Sequence, residues 1–214
     1  RFPSQIDSVS KAINVIGGEA LYNLVVSETA STAFKCFDSE LIDLKQHWHV
    51  SVYSGMLAKH LAMSTNAKVI ERFFVMGILQ NLSELVIAKR SPELYQQYLD
   101  SDKSLLPYQR QKQLFGFTFA HCSGIILESW NLPIGLFYPI THVNDVARQS
   151  SDREIGVLAL SNRIAVRQLD KENHSDIELF TSEIANTVSL DMEMVSNATD
   201  YAERETVKVA ALIN

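Results

Sequence analysis

Residues 68–88, with the sequence KVIERFFVMGILQNLSELVIA, decide the fold. Their apolar side chains fall on several faces of a helix, which is typical of a central, buried helix. Upstream, apolar residues from Leu41 to His60 follow an i, i+3, i+4 spacing that predicts another long helix. The whole chain contains only 8 Gly and 5 Pro. Since this scarcity favours long helices over many-turned β-structure, we expect an all-α fold.

The composition excludes several classes of protein. The chain has 214 residues, 46% apolar and 21% charged, which is ordinary for a globular protein with a substantial core. A net charge of −6 without any Lys/Arg run argues against nucleic-acid binding. No apolar stretch approaches the roughly 20 residues that a membrane span needs, and no signal peptide is visible. The two cysteines, Cys36 and Cys122, predict reduced thiols in a cytoplasmic protein.

Local signals predict where the downstream helices begin and end. Pro92, after Ser91, and Pro107 both suit the first turn of a helix. The polar residues 170–174 are expected to form a loop. Residues 175–178, Ser-Asp-Ile-Glu, match a capping box that would start a further helix. Helices are also expected over residues 118–129 and 152–169.

The residues by themselves form no catalytic constellation. Metal sites in helical hydrolases are built from His, Asp and Glu on facing helices. The six histidines include no His-x-x-x-His pair, and the chain has no His-Asp dipeptide. A Gly-rich phosphate loop and a Gly-x-Ser-x-Gly elbow are absent as well. We therefore predict no catalytic residue, no metal and no cofactor.

Four segments, in the right order, resemble the HDOD family, a relative of the HD phosphohydrolases. The segment 77–86 resembles the central Gly-Leu-Leu-His-Asp-Ile-Gly-Lys-Leu-Val signature, and Trp48 with Ser51 resembles Trp-x-His-Ser. The segments 115–117 and 130–133 resemble Gly-Phe-x-His followed by Trp-Asn-Leu-Pro. Residues 6–17 resemble the Ile-x-Ser-Ile-x-x-Ala-Ile-x-x-Leu-Gly stretch that precedes the HD-like part.

The resemblance implies a multi-helical, all-α HD-like domain with a C-terminal helical extension. It covers Ile6 to Arg167, and the part of the family domain that precedes Arg1 is missing. Residues 1–40 are therefore expected to be the remnant of an N-terminal HDOD lobe, 41–169 the HD-like lobe and 170–214 the extension. HDOD domains occur in bacterial signalling proteins, so the resemblance also implies a role in signal transduction.

Carried over position by position, the metal ligands of the HD-type site are all replaced in this chain. Asn81 and Asn162 stand where the family has Asp, which removes the negative charge that a hard metal needs. Valine and phenylalanine cannot coordinate a metal at all. The resemblance thus implies a degenerate metal site whose remnant cavity is the candidate ligand-binding site. The replaced positions are Val50, Gln80, Asn81, Phe119, Val143, Asn144 and Asn162.

Two questions about this cavity stay open. Gln80 and Asn81 either hydrogen-bond within it as a polar network, the interpretation we favour, or bind a small ligand through their amides. His49, His121 and His142 each lie one or two residues from an expected ligand and could form a different metal site. However, one residue turns a helical side chain by about 100°, so a shifted histidine points elsewhere.

These observations favour a non-catalytic HDOD signalling or regulatory domain. It would act by binding an unidentified signalling protein or a small ligand, with no cofactor, nucleic acid or membrane involved. The alternative is a metal-dependent phosphohydrolase of the HD superfamily with a non-standard site built from the three displaced histidines. Whether the chain is an enzyme, and whether it forms a homo-oligomer, stays open at this point.

Overall fold

The computed structural model describes residues 39–65 and 67–213, together with the isolated residues 25, 29, 32 and 37. The expected N-terminal remnant, residues 1–40, and Cys36 lie almost entirely outside the described residues. Within the described ranges all regular structure is helical, so the predicted all-α fold is confirmed. The helices there are α1 (Leu44–Met63), α2 (Glu71–Leu79), α3 (Leu82–Arg90), α4 (Pro92–Leu99), α5 (Pro107–Phe115), α6 (Phe119–Ser129), α7 (Ile134–His142), α8 (Val146–Gln149), α9 (Arg153–Leu169), α10 (Lys171–His174), α11 (Ser182–Thr187) and α12 (Met192–Ile213).

Helix α1 is the central element of the core. It begins where the Asp43 side chain accepts hydrogen bonds from the backbone N–H groups of Lys45 and Gln46, at 2.9 and 3.1 Å. Helices α2, α9 and α12 pack around it, so its second half is buried on most sides. The core therefore forms around the stripe predicted from Leu41 to His60, although the helix itself starts at Leu44.

Helices α1 and α2 cross at two glycines that let their backbones touch. A Cβ atom placed on Gly77 of α2 would lie 2.4 Å from the Cα of Gly55 on α1. Real Cβ atoms do not approach backbone this closely, so only glycine fits at this crossing. The close contact fixes the end of α2, and with it Gln80, against the middle of α1.

The single central helix expected over residues 68–88 is in fact two helices. Helix α2 ends at Leu79 and α3 begins at Leu82, with Gln80 and Asn81 in the turn between them. Asn81 leaves the helical conformation, with φ −107° and ψ 15°. Asparagine is a weak helix former that favours helix boundaries, which is consistent with a break at this point. The two amides therefore lie in a turn inside the protein, and Gln80 is only 2% exposed.

The local signals for helix boundaries are mostly confirmed. Helices α4 and α5 start at Pro92 and Pro107, and α6 and α9 match the expected ranges to within one residue. The capping-box prediction at residues 175–178 is wrong, because the next helix starts only at Ser182, capped by Thr181. The backbone carbonyl of Glu178 instead accepts a hydrogen bond from the Nε–H of Arg163. The loop expected over 170–174 also contains the short helix α10.

The C-terminal helix α12 packs directly onto α1. The ring of Tyr201 stacks on His60 with centroids 4.6 Å apart, and Val195, Ala198 and Ala202 belong to the same core as α1. The division of the chain at residues 40 and 169 stays a prediction. Among the described residues, none of the helices combines the length and the apolar character that a membrane crossing requires.

Candidate functional site

A cavity of about 620 Å³ opens beside the turn between α2 and α3. Residues from α1, α3, α4, α5, α6, α8, α9 and α11 line it, together with residues of the connecting segments. This volume lies in the range of small-molecule sites in proteins. The cavity is therefore the candidate site, and its chemistry depends on the side chains that face it.

The structure brings five of the seven predicted site residues to this one cavity. Val50 comes from α1, Gln80 and Asn81 from the α2–α3 turn, Asn144 from the residues just after α7, and Asn162 from α9. These positions are far apart in sequence and were joined only through the family resemblance. The assignment of these positions to a binding site stays a prediction.

The other two predicted residues, Phe119 and Val143, do not line the cavity. Phe119 is 1% exposed and packs in an aromatic cluster, with its ring centroid 5.1 Å from that of Tyr98 and 5.3 Å from that of Phe115. Val143 is also buried in the core. The cavity is instead reached by the next residue in each case, Ala120 and Asn144. On α6, a shift of one residue from Phe119 to Ala120 turns the side chain by about 100°, which is enough to move it from the core to the cavity wall. Val143 and Asn144 lie in the turn after α7.

Three buried oxygen atoms, in residues that line the cavity, have no hydrogen-bond partner among the described residues. They are Ser51 Oγ, Gln80 Oε1 and Asn162 Oδ1. Buried polar atoms are almost always paired in folded proteins, and leaving one unpaired costs about 1–3 kcal/mol. The polar network that we favoured for Gln80 is thus not closed by the residues described.

A carboxylate lies in the same cavity, held by two neighbours. Glu84 Oε1 accepts a hydrogen bond from the Tyr95 hydroxyl at 2.9 Å, and Glu84 Oε2 lies 3.2 Å from His47 Nδ1. Burial raises the pKa of Tyr95, and the charge of Glu84 raises it further. Tyr95 therefore keeps its proton at neutral pH and remains a donor to the carboxylate.

Glu84, His47 and Tyr95 are not among the predicted site residues, although helical spacing in the sequence contains a signal for part of this group. Glu84 lies four residues after Gln80, and His47 lies four residues before Ser51 and three before Val50. Residues three or four apart share one helix face, so His47 could have been expected near Val50 on α1. The break between α2 and α3 makes the same argument unsafe for Glu84.

The residues at the family's metal-binding positions do not fit a metal ion. Val50 offers no donor atom, and the amides of Asn81 and Asn162 carry no negative charge. In the described part of the chain, no three His, Cys, Asp or Glu side chains lie close enough together to hold a metal.

The three displaced histidines occupy different helices of the domain. His49 is on α1, and His121, in the first turn of α6, is exposed. His142 ends α7, where its ring lies 4.5 Å from that of Tyr138 and its Nδ1 lies 3.8 Å from Asp145 Oδ2. None of them lines the cavity. The structure therefore offers no support for a metal site built from this set.

The structure is thus a multi-helical domain with a cavity lined in part by amide side chains. The family model described as the HDOD domain matches residues 1–146. The chain belongs to the HDOD domain family.

Solved structures share this fold across most of the chain. A "putative phosphohydrolase" from Shewanella amazonensis is 19% identical with a TM-score of 0.73, over 98% of this chain and 78% of that one. An HDOD domain protein from Geobacter sulfurreducens is 18% identical with a TM-score of 0.74, over 98% and 75%. The MmoQ response regulator from Methylococcus capsulatus is 18% identical with a TM-score of 0.55, over 75% and 62%. Identities this low establish the fold alone, and no curated protein matches the chain.

Proposed function

We propose that this chain is a non-catalytic regulatory HDOD domain that binds a small ligand in the cavity beside the α2–α3 turn. The observation that carries the proposal is the cavity of about 620 Å³ itself, which brings together Val50, the amide residues Gln80, Asn81 and Asn162, and the Glu84 side chain. A cavity of this size, lined by apolar side chains and a few polar ones, is typical of a site that holds a small ligand. This ligand would carry the signal.

A regulatory role agrees better with the site than phosphoester hydrolysis does. Hydrolysis by an HD-type site needs a metal to generate the attacking hydroxide. The cavity presents Val50 and amides at the ligand positions, and the displaced histidines lie outside it. The name of the MmoQ response regulator, which shares the fold, adds support for signalling. We further propose a bacterial, cytoplasmic setting in which a partner protein, rather than a nucleic acid, responds to the ligand.

A ligand screen with a matched pair of variants tests the proposal. We would screen a chemically diverse library by thermal shift against the wild-type protein, Gln80→Leu and Gln97→Leu. Gln97 is exposed on α4 and lies outside the cavity, so its variant is the control. At a hundredfold excess over Kd, a ligand should add about 2.7 kcal/mol of stability. We expect hits that stabilise the wild type and Gln97→Leu but not Gln80→Leu.

The competing enzyme hypothesis is tested on the same preparations. Metal content would be measured by elemental mass spectrometry, and phosphomonoesters and phosphodiesters would be offered with added manganese. Stoichiometric metal, with turnover that is lost on replacing His49, His121 or His142, would overturn our proposal. A screen without any hit that depends on Gln80 would overturn it as well.

A further inference from the structure

We infer that protonation of His60 controls the docking of helix α12 on α1, so that acid weakens this contact while the rest of the domain stays folded. The contact is independent of the cavity, and it would give the domain a second input besides a ligand. Three features of the structure support the inference: the way in which α12 is held, the surroundings of the His60 ring, and two further polar atoms that are buried on the same two helices.

Helix α12 is held mainly by one neighbour. Among the described helices, α1 is the only one against which α12 packs extensively. Val195, Ala198 and Ala202 belong to the core along this contact, and the non-helical residues 188–191 join α12 to α11. A helix with one main neighbour can open locally, because such an opening needs less free energy than unfolding of the whole domain.

The ring of His60 lies in this contact and is arranged for the neutral form. It stacks on Tyr201 of α12 with an interplanar angle of 30°, and its Nδ1 is buried without a hydrogen-bond partner among the described residues. A neutral imidazole can place its single proton on the other nitrogen, whereas the imidazolium carries an N–H at both. Protonation in the docked state would therefore bury a charged N–H without an acceptor, which is more costly than leaving a neutral nitrogen unpaired.

The electrostatic surroundings of His60 act in the same direction. Burial lowers the pKa of His60 below 6.5, and the charge of Arg204 on α12 lowers it further. When α12 leaves, the ring gains water and loses this like charge, so the released state takes up the proton more readily. Docking of α12 should therefore weaken as the pH falls through 6.5.

The carboxylates of α12 near this contact act on other groups. Those of Glu203 and Asp200 raise the pKa of Tyr53 on α1, which burial raises first. The carboxylate of Glu205 accepts a hydrogen bond from Lys208 at 2.7 Å.

The other helices packed against α1 contribute charges that are paired with each other. Arg72 of α2 forms an ion pair with Glu154 of α9. On α1 itself, the neighbouring Lys59 is buried. Arg204 is thus the charged side chain whose effect on His60 the structure defines.

Two more buried oxygen atoms reduce the free energy that holds α12. Tyr53 Oη on α1 and Thr206 Oγ1 on α12 have no hydrogen-bond partner among the described residues. Both can regain water when the helices separate, so their burial opposes docking. A single protonation at His60 consequently removes a larger share of the free energy of docking than it would in a fully satisfied contact.

Hydrogen exchange of α12 at several pH values tests the inference. We would follow the full chain by mass spectrometry at pH 7, 6 and 5 and compare protection factors, which correct for the intrinsic effect of pH on exchange. One pKa unit corresponds to a tenfold change in an equilibrium, so that even a fraction of a unit is measurable. We expect the protection of α12 to fall by at least about threefold between pH 7 and pH 5, while that of α6 stays within about twofold.

Three substitutions by glutamine separate His60 from other groups. His60→Gln removes the titrating ring, so the protection of α12 should then stay within about twofold over the same pH range. His121→Gln, at an exposed position on α6, is the matched control and should behave like the wild type. Arg204→Gln removes the like charge but leaves Nδ1 buried, so the fall should persist and become smaller. Since Arg204 is exposed, this variant tests the inference even if His60→Gln folds poorly.

Each other outcome would overturn the inference. Protection of α12 that is independent of pH in the wild type would do so, and so would a fall that survives unchanged in His60→Gln, because another group would then be responsible. An equal fall in α6 and α12 would show that acid acts on the whole domain instead. No ligand enters this experiment, so its result is separate from that of the library screen.

Discussion

A single methyl group tests the crossing of α1 and α2, on which the position of the α2–α3 turn depends. In Gly77→Ala the new Cβ would lie 2.4 Å from Gly55 Cα and 2.6 Å from Gly55 N. Both are backbone atoms of a buried helix, so the two helices would have to move apart. Overpacking of this kind costs about 1–3 kcal/mol, and sometimes more. The better helix propensity of alanine returns at most about 1 kcal/mol.

Because the clash is severe and lies on rigid backbone, we expect a net loss of about 2 kcal/mol in the free energy of unfolding. For a chain of this size the corresponding fall in Tm is about 4–8 °C. Urea unfolding followed by far-ultraviolet circular dichroism measures the first quantity, and a thermal scan measures the second. If a ligand of the cavity is in hand, its affinity should fall as well, since Gln80 follows Gly77 by one helical turn.

Gly135 provides a matched control at the same nominal distance. A Cβ on Gly135 would also meet an atom at 2.4 Å, but this atom is Nη1 of Arg72, the far end of a flexible side chain. Arg72 pairs with Glu154 at a partly exposed position, and weakening such a pair costs no more than about 1 kcal/mol. Gly135→Ala should therefore be much milder than Gly77→Ala. Equal losses in the two variants, or no loss in Gly77→Ala, would refute the argument from backbone contact.

Three further predictions concern buried titratable groups. The Tyr53 hydroxyl has no hydrogen-bond partner among the described residues, so Tyr53→Phe should leave the free energy of unfolding unchanged or raise it. Tyr95→Phe removes the hydroxyl that donates to Glu84, so it should lower the free energy of unfolding by about 1–2 kcal/mol. Urea unfolding measures both values. Burial raises the pKa of Tyr53 and of Tyr95 above the ordinary value of 10.0. The folded state therefore favours the protonated hydroxyls, and their full contribution to the free energy of unfolding is present below pH 10.0. This contribution is lost as the pH rises from 10.0 through the pKa values of the folded state. Unfolding at increasing pH, followed by phenolate absorbance, should show the loss, and Tyr53→Phe should reduce it. Burial, and next the charge of Arg204, lower the pKa of His60 below 6.5. The free energy of unfolding should therefore fall as the pH drops through 6.5, because the unfolded chain takes up the proton more readily. Urea unfolding at several pH values should show a smaller fall for His60→Gln than for the wild type.

Much of the fold could be predicted because its signals are local. Pro92 and Pro107 mark helix starts through their fixed φ and missing N–H, and they do so in any tertiary context. The Asp152 side chain caps α9, as its position before the apolar stripe suggests. These signals act within one turn of helix, so the sequence contains all the information that they need.

The features that could not be predicted depend on a rotation or a distant partner. Residues 68–88 are apolar on both sides of Gln80–Asn81, so their pattern contains little sign that the helix breaks there. Phe119 and Val143 do not line the cavity, whereas the next residue does in each case, and the sequence around them does not show which of the two neighbours faces it. The contact of Glu84 with Tyr95 joins α3 to α4 and has no signature in either segment.

The residues around the cavity also bear on the proposed regulatory role. In the register that the resemblance implies, Asn81 and Asn162 stand where the family has Asp, and asparagine has nearly the shape of aspartate without its negative charge. A ligand that binds only the folded state would stabilise it by mass action. Because residues of α1, of the α2–α3 turn and of α9 all line the cavity, the proposed ligand would couple occupancy of the cavity to the stability of this core. That coupling is the physical difference that the proposed partner protein would detect.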